Sequence, residues 1–474
     1  MKSGLRTLFA LIVFSIITGL AGHVPLAAQL FTEAPEQVRQ QSAGYQPYQV
    51  FVVNEGSWGN NNATLTVFKP ETGEVEQQVF HTYTQRLLGD VANDAQWINE
   101  MLYVVVNNSH KIEVIDPVTF ESAMTIFIDD EAHGGSPRHI LQVSGEKAYV
   151  SNLYGDNLSV IDLALGEEIA VIDLGAGSGP EGMVKSGNHV FVALSGMGTG
   201  NEVAVVDITG DEVVKRIPVG DNPGQLAVGP AGRIWSVAVG NYGVGPDGSW
   251  DPETYETFGE LVVIDPDELE VAGRMETGGH PGKLIFLDAQ TALLQRDGIR
   301  SVDLEQMRLH DEPWLERQMH SFSVDVQSQD PLVYVTIAPD FASAGKVVRY
   351  DLSAAAVDSF QAGIGPGPVA FHYHVPTDAG YVAERPSGIQ LDQNYPNPFN
   401  PATRIRFSLE KGAAVTLEVF DLQGRRVETL ASGYHGAGSH TVTVDASGWS
   451  SGVYLYRLTS GSHAILNRKM LLVK

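Results

Sequence analysis

Histidine and carboxylate side chains are the groups in this chain that could bind a metal ion. Convergent histidines can ligate a transition metal, and the acidic residues of segment 240–259 offer oxygen ligands for calcium. The spacing of these acids differs from that of an EF-hand loop, however, and a hydrogen-bonded or solvent-facing histidine is commoner than a ligand. The sequence therefore predicts no metal and no other cofactor. The candidate ligands are His110, His133, His139, His280 and His320, together with Asp247, Asp251, Glu253 and Glu256.

Motifs for nucleophilic or metal-assisted catalysis are the next candidates. The chain contains no Cys and no HExxH, Walker or CxxC motif, which excludes disulfides, Cys nucleophiles and thiolate metal sites. The run GWSSG at Gly448–Gly452 matches GxSxG, but it lies in a β-patterned segment without the strand–turn–helix context that this motif requires. We therefore interpret the chain as a binding protein, with a lyase or a hydrolase as the enzymatic alternative.

Aromatic, amide and cationic side chains in loops rich in Gly and Asn form the candidate ligand-binding set. Flat rings offer apolar contact area, while amides and cations offer hydrogen bonds. The alternative is that Gly and Asn only serve turn geometry and that the aromatic rings fill interior space. The predicted ligand-binding residues are Trp58, Asn60, Asn61, Arg86, Asn107, His110, His133, Arg138, His139, Tyr154, Tyr242, Trp250, His280 and Arg296.

An internal repeat positions these loops. A turn that contains Pro precedes an apolar run at Pro137, Pro180 and Pro223, with 43 residues between successive prolines. The turn returns at Pro281, after an insertion, and again at Pro366. Each repeat holds four short runs of β pattern without an amphipathic helix between them. Four strands in a repeat of about 43 residues are typical of the blades of a β-propeller.

The number of repeats predicts a closed ring. Six complete units begin near residue 95, and three β-runs precede them at Tyr48–Asn54, Thr64–Lys69 and Val75–Phe80. One more run follows Pro366. Three strands from one end of the chain and one from the other complete a seventh blade and leave no open sheet edge. The predicted fold is all-β, a seven-bladed β-propeller followed by a small C-terminal β-sandwich.

The two faces of such a ring differ in their loops. Because strands A to D of a blade are antiparallel, the B–C and D–A loops share one face, and the A–B and C–D turns share the other. The turns are short, whereas the B–C loops are long and include EGSWGNNN (Glu55–Asn62) and the segment 240–259. Since long loops on a rigid scaffold commonly carry binding sites, we expect the ligand on the long-loop face.

A separate module follows a linker at 382–390. Residues 391–474 contain six or seven short β-runs with turns that contain Gly, typical of a small sandwich, and a Pro cluster at 396–401 that should be extended. The runs NYPNPFNPATRIRFSL, VFDLQGRRV, SSGVYLYRL and KMLLVK closely resemble the type A C-terminal sorting domain of the type IX secretion system. This resemblance implies a partnership with the type IX machinery and export to the outer-membrane surface or the medium.

The repeats carry a resemblance of their own. The run YVVVNN (Tyr103–Asn108) is similar to YncE/YVTN-like propellers, and the runs NEG, NNA, LGD, NNS and IEVID within 54–116 resemble the surface cobalamin-capture (BtuG-like) branch. This resemblance spans roughly residues 48–375. It implies capture of cobalamin or another corrinoid for a TonB-dependent outer-membrane transporter. Relatives of that kind are lipoproteins, whereas this chain has no Cys, so its anchoring differs.

Charge and the N-terminal segment complete the prediction. The net charge is −27, which argues against nucleic-acid binding because phosphates require a basic surface. Residues 1–28 have the basic start, apolar core and small-residue end of a secretory signal peptide, and 29–47 lead into the propeller at 48–381. The predicted function is capture of a small ligand, a corrinoid, at the cell surface. The alternative is a surface-layer or adhesion module that binds a protein or a glycan.

Overall fold

The computed structural model describes residues 47–128, 134–245, 247–373, 389–409, 411–421, 425–460 and 464–473. The predicted signal peptide at 1–28 and most of the lead-in and linker lie outside these residues. Within the described part, no helix is long and apolar enough to cross a membrane. The described residues form seven four-stranded sheets and a C-terminal module of two further sheets.

Seven antiparallel sheets form the blades, and the strands of each blade are called A to D from the channel outwards. The A strands of successive blades contact one another around the ring, which makes them innermost. Blade 1 contains β28 (Pro366–Tyr373), β1 (Pro47–Asn54), β2 (Thr64–Lys69) and β3 (Glu74–Glu76). Blade 2 contains β4 (Ala92–Ile98), β5 (Met101–Val106), β6 (Lys111–Ile115) and β7 (Ser122–Phe127). Blade 3 contains β8 (Pro137–Gln142), β9 (Lys147–Asn152), β10 (Asn157–Asp162) and β11 (Glu167–Asp173).

The other four blades repeat this order. Blade 4 contains β12 (Pro180–Ser186), β13 (His189–Leu194), β14 (Glu202–Asp207) and β15 (Glu212–Pro218). Blade 5 contains β16 (Pro223–Val228), β17 (Ile234–Ala238), β18 (Glu260–Asp265) and β19 (Glu270–Glu276). Blade 6 contains β20 (Leu284–Phe286), β21 (Thr291–Gln295), β22 (Ile299–Asp303) and β23 (Arg308–Leu309). Blade 7 contains β24 (Ser321–Val324), β25 (Val333–Ile337), β26 (Ala344–Tyr350) and β27 (Ala356–Ile364).

The ring closes where the two ends of the propeller sequence meet in blade 1. Strand β28 pairs antiparallel with β1, and Phe51 lies opposite Ala370 in the ladder. Every backbone donor of such a strand finds a partner, which an open array would leave unpaired at its two ends. The apolar faces of neighbouring blades fill the space between them; Phe51 and Tyr103, for example, are fully buried. The predicted fold class is therefore confirmed.

The segment after β3 differs from its prediction. The sequence placed a strand over Val75–Phe80, whereas the ladder ends at Glu76 and a short helix, α1 (Val79–Thr84), follows. Val79 and Phe80 are buried from this helix, and Gln78 before it has a left-handed φ of 54°. A short apolar run fits a strand and a buried helical turn equally well, because periodicity alone does not separate them.

The A–B and C–D turns form one face of the ring, which we call the turn face. The recurrent Asp that ends strand C explains its regularity, because the carboxylate accepts hydrogen bonds from amides of the following turn. In blade 3, Asp162 Oδ1 accepts from the amides of Ala164 and Leu165, both at 2.8 Å. The same arrangement recurs at Asp116, Asp207, Asp265 and Asp351. The sequence motif that revealed the repeat is thus a turn cap.

The C-terminal module is a sandwich of a three-stranded and a four-stranded sheet. The first sheet contains β29 (Gln390–Leu391), β30 (Ala402–Leu409) and β33 (Gly438–Asp445). The second contains β32 (Arg426–His435), β31 (Ala413–Phe420), β34 (Gly452–Ser460) and β35 (Ala464–Leu472). Phe407, Leu417 and Tyr456 are fully buried between them. The Pro cluster at 396–401 forms no ladder strand between β29 and β30, which agrees with the expectation for that segment.

The module packs against the turn face at blades 2 and 3. Asn99, in the A–B turn of blade 2, donates from Nδ2 to the carbonyl of Ser432 at 2.8 Å. Next to it, Glu100 Oε2 lies 2.6 Å from Nδ1 of the buried His440. Tyr434 packs against the apolar cluster between the two blades. The C-terminal module therefore covers part of the turn face and leaves the opposite face free.

Candidate functional site

The B–C and D–A loops meet on the second face of the ring, which we call the loop face. Neighbouring loops hold one another through backbone hydrogen bonds, such as Ala63 N to Gly89 O at 3.0 Å and Leu153 N to Ser136 O at 3.0 Å. The longest loop, 239–259 between β17 and β18, contains a single helical turn, α2 (Pro252–Tyr255). These loops are consequently connected into a continuous surface around the end of the central channel.

Exposed aromatic rings are concentrated on the B–C loops. Trp58, Tyr154 and Trp250 are 61%, 59% and 67% exposed. Large apolar side chains in such a position commonly mark a binding surface, since burying them against a partner is favourable. We call the exposed set the rim aromatics, which are Trp58, Tyr154, Tyr242, Trp250, Phe258 and Phe341.

Two of the predicted residues form a stack in the longest loop. The rings of Tyr242 and His280 lie 3.9 Å apart between centroids and nearly parallel. The two ring nitrogens of His280 lie 3.1 Å from Val239 O and 3.3 Å from Glu256 Oε1. Burial raises the pKa of the Tyr242 hydroxyl above its ordinary value. His280 therefore fixes the loop conformation, and one face of Tyr242 is occupied by it.

Charged side chains from the inner strands line the channel below the rim. Arg138 Nε donates to Glu181 Oε2 at 2.9 Å. His139 Nδ1 lies 3.4 Å from Asp94 Oδ2, and its Nε2 lies 3.8 Å from Glu181 Oε2. Lys283, just before β20, donates from Nζ to Ser323 Oγ at 3.4 Å. We call this set the channel belt, which is Asp94, Arg138, His139, Glu181 and Lys283.

The belt perturbs the acidities of its members. Burial alone would raise the pKa of Asp94, but the charge of His139 and hydrogen bonds from His139, Gln96 and the Ile140 amide outweigh burial and lower it. Burial lowers the pKa of Lys283, and attraction by Asp94 only partly opposes this. The channel therefore holds an ionised carboxylate and an ammonium group whose charge is disfavoured by its surroundings.

Glu55 and His320 form a further polar pair on the loop face. Glu55 Oε1 lies 2.7 Å from His320 Nε2, and the His320 ring contacts the rim residue Phe341 edge-on at 4.9 Å. The sequence analysis considered His320 only as a metal ligand and did not consider Glu55. It also missed Asp94, Glu181 and Lys283. The available signal was the inner-strand start, since Glu181 and Lys283 follow the recurrent Pro by one and two positions.

Several other predicted residues are engaged in the scaffold. Asn107 is buried and donates to Ser136 Oγ and Pro137 O, both at 2.9 Å. His110 Nδ1 accepts from the Ser136 amide at 3.0 Å, so both residues connect the loops of blades 2 and 3. Their side chains serve loop geometry, which is the alternative that the sequence left open for such residues.

The predicted arginines and the remaining asparagines differ in their availability. Arg86 Nη2 lies 2.8 Å from Glu113 Oε1 on β6, and Arg296 donates to the carbonyl of Thr277. Both guanidinium groups are thus engaged at their own blades. Asn60 and Asn61 are exposed beside Trp58. His133 lies outside the described residues.

The possible metal and catalytic motifs have other contacts. In the part of the chain that the structure describes, no three His, Cys, Asp or Glu side chains come together as metal ligands. Asp247 Oδ1 accepts from the Ser249 amide at 3.0 Å, which is a turn contact. In the GxSxG run, the carbonyl of Ser450 accepts from Tyr454 Oη at 2.8 Å, and the run lies in the turn before β34.

Family comparison divides the chain in the same way as the fold. Residues 48–242 match a family described as "Domain of unknown function (DUF5074)". Residues 393–473 match a family described as "Secretion system C-terminal sorting domain". No curated protein matches the chain significantly.

Solved structures share the propeller architecture. A quinoprotein alcohol dehydrogenase-like protein from Bacteroides thetaiotaomicron aligns with a TM-score of 0.51 at 14% identity, covering 69% of this chain and 79% of that one. A streptogramin B lyase aligns at 0.45 and 11% identity, covering 61% and 96%. Hydrazine synthase of Kuenenia stuttgartiensis aligns at 0.35 and 18% identity, covering 53% and 63%, so this chain spans less than two thirds of that protein. The chain is thus a β-propeller joined to a type IX C-terminal sorting domain, and it is secreted to the cell surface or the medium.

Proposed function

We propose that this protein captures a small ligand over the channel mouth on its loop face. The observation that carries the proposal is the combination, on one face, of exposed rim aromatics and a charged channel belt. Concave sites with apolar walls and a few convergent polar groups are the usual form of a small-molecule site. We propose binding rather than catalysis, because Arg138 and His139 are each engaged with carboxylates of the belt.

The ligand that we propose is a corrinoid such as cobalamin. A corrin ring is a broad disc with amide arms, and it needs both flat apolar contacts and amide hydrogen bonds. Trp58 and Trp250 offer the first, and the exposed amides of Asn60 and Asn61 offer the second. The resemblance of the segment 54–116 to surface cobalamin-capture proteins supports this choice.

We further propose that the loaded protein presents its ligand to a TonB-dependent outer-membrane transporter. The position of the sorting module supports this step, because the module contacts the turn face through Asn99 and Glu100. A transporter could therefore approach the loop face without displacing the module. Co-purification of the full chain with such a transporter, dependent on the loop face, is the corresponding measurement.

Absorbance titration with cyanocobalamin tests the ligand. An aromatic contact contributes about 0.5–1.5 kcal/mol beyond the area it buries, so we expect Trp250→Ala or Trp58→Ala to weaken binding about tenfold. Leu165→Ala is the matched control, because Leu165 is equally exposed on the turn face at 63%. If excess cyanocobalamin changes neither the absorbance nor the melting temperature of the wild type, the corrinoid proposal is wrong.

A glycan is the second candidate occupant, and the same rings favour it. The indoles of Trp58 and Trp250 are exposed and could stack on the apolar faces of sugars. Binding to a glycan array that Trp250→Ala removes, without binding of cyanocobalamin, would replace capture by adhesion. Mass spectrometry of small molecules retained by the native protein gives an independent identification of the occupant.

A further inference from the structure

Lys283 differs from the other cation of the channel belt in its partners. Arg138 is paired with Glu181 at 2.9 Å. Lys283 Nζ donates only a long hydrogen bond, 3.4 Å, to the neutral hydroxyl of Ser323. Among the described residues, no carboxylate oxygen lies within 4.0 Å of this Nζ. The belt therefore contains one ammonium group without an ion-pair partner in the described structure.

The backbone on both sides of Lys283 is held firmly. The carbonyl of Lys283 accepts from the Gln295 amide at 2.8 Å. The next amide, of Leu284, donates to Gln225 Oε1 of blade 5 at 2.6 Å. Because Ser323 belongs to the inner strand β24, the ammonium group lies between the inner strands of blades 6 and 7. Lys283 is thus presented to the channel from a preorganised base.

The charge of Lys283 is costly in this position. Removing an ammonium group from water is unfavourable unless an opposite charge compensates it. Burial accordingly lowers the pKa of Lys283, and the attraction of Asp94 is insufficient to restore it. An anion bound beside Nζ would supply the missing compensation and would be favoured by the same low-dielectric surroundings.

We infer that Lys283 is the subsite for an oxyanion group, a carboxylate or a phosphate, of the ligand that enters the channel mouth. This inference rests on the proposed function, since it assigns the chemical class of one group of the captured ligand. A lysine ammonium is a compact charge with three donors, which suits either oxyanion. Asp94 and Glu181 on the inner strands of blades 2 and 4 repel further negative charge. The site therefore favours a ligand with a single anionic group.

The test measures the acidity of Lys283 in the full chain. Reductive methylation with isotope-labelled formaldehyde gives each lysine its own NMR signal, and the signal that Lys283→Met removes identifies Lys283. Lys185, an exposed lysine at the end of β12, is the matched control and is identified by Lys185→Met. Inorganic phosphate and acetate are added in separate titrations, so that the two sources of an oxyanion are distinguished.

We expect Lys283 to lose its proton at lower pH than Lys185, and phosphate, acetate or both to reverse that difference. A rise of its pKa by one unit lowers the neutral fraction about tenfold at a given pH. If neither anion changes the titration of Lys283, or if both change Lys185 equally, the subsite is refuted. Because the titrations contain no corrinoid, that result leaves ligand capture standing, whereas a negative cyanocobalamin titration removes capture and leaves the anion measurement intact.

Discussion

The turn face and the loop face of the propeller are built from the same blades and perform different tasks. On the turn face, carboxylates such as Asp162 cap their own turns, and the C-terminal module covers blades 2 and 3. On the loop face, rings such as Trp250 remain exposed and the belt charges interact across blades. Residues that close a local turn contribute to stability, whereas residues that remain exposed on a rigid frame are available to a ligand. The comparison predicts that substitutions on the two faces separate stability from binding.

The largest expected effect concerns Asp325, in the A–B turn of blade 7. Burial raises its pKa to about 7, although the Leu332 amide, Ser328 and Arg349 oppose this. The folded form then retains a proton that the unfolded chain releases between about pH 4 and 7, so stability is lost as the pH rises through that range. We expect Asp325→Asn to stabilise the propeller at pH 8 by at most about 4 kcal/mol and to have little effect at pH 4, as measured by chemical denaturation.

Asp330→Asn is the control for that measurement, because Asp330 is exposed in the same turn. It should leave the pH dependence of unfolding unchanged. Equal behaviour of the two variants at pH 8 would contradict the assignment of the raised pKa to Asp325. It would also weaken the view that buried turn-face groups control stability.

The next effect concerns acid and the C-terminal module. Burial, with a contribution from His440, lowers the pKa of His435 to about 4, against the Gly433 carbonyl and Glu100. The unfolded chain therefore binds a proton that the folded module does not, and stability decreases as the pH falls from about 6.5 towards 4. We expect a loss of about 3 kcal/mol over this range, seen as a falling melting temperature of the module.

His435→Gln should reduce that acid sensitivity, because it removes the titrating group and keeps a donor for the Gly433 carbonyl. His189→Gln in blade 4 is the comparison variant in the propeller. If wild type and His435→Gln lose stability in parallel between pH 6.5 and 4.5, acid acts through other groups and the prediction is wrong.

A smaller effect is expected from removal of one turn cap. Asp162→Ala leaves the amides of Ala164 and Leu165 without their acceptor, which should cost about 1 kcal/mol. Trp250→Ala on the loop face should change the free energy of unfolding by no more than about 0.5 kcal/mol. Thermal or urea unfolding measures both. A Trp250→Ala variant destabilised as much as Asp162→Ala would break the distinction between the faces.

The smallest effect is expected at the contact between the propeller and the module. Asn99→Ala removes the hydrogen bond to Ser432 O, worth about 0.5–1 kcal/mol. We expect faster hydrogen exchange in β32 with the blades unaffected. Asn188→Ala is the control, since Asn188 bonds Thr209 within blade 4 on the same face. Unchanged exchange in β32 would show that this bond does not hold the module.

The sequence predicted the propeller because its evidence is local. Alternating apolar residues, the Pro before each inner strand and the Asp after strand C recur in every blade and need only their neighbours. The error at Val75–Phe80 has the same origin, since a short apolar run does not reveal whether it pairs with β2 or turns into a helix. Candidate residues such as Asn107 and Arg86 were selected by type, and type does not reveal a partner in the adjacent loop or strand.

The amino-acid sequence by itself determined the seven blades, their closure by the two ends of the repeat region and the sorting module, because each follows from periodicity, turn chemistry or a contiguous motif. The tertiary structure alone decided the channel belt and the place of the module. Asp94, His139, Glu181 and Lys283 come from four blades, and their charges interact only once the ring brings the inner strands together. Docking at Asn99 and Glu100 likewise joins segments more than 300 residues apart, a separation over which the sequence pattern carries no positional information.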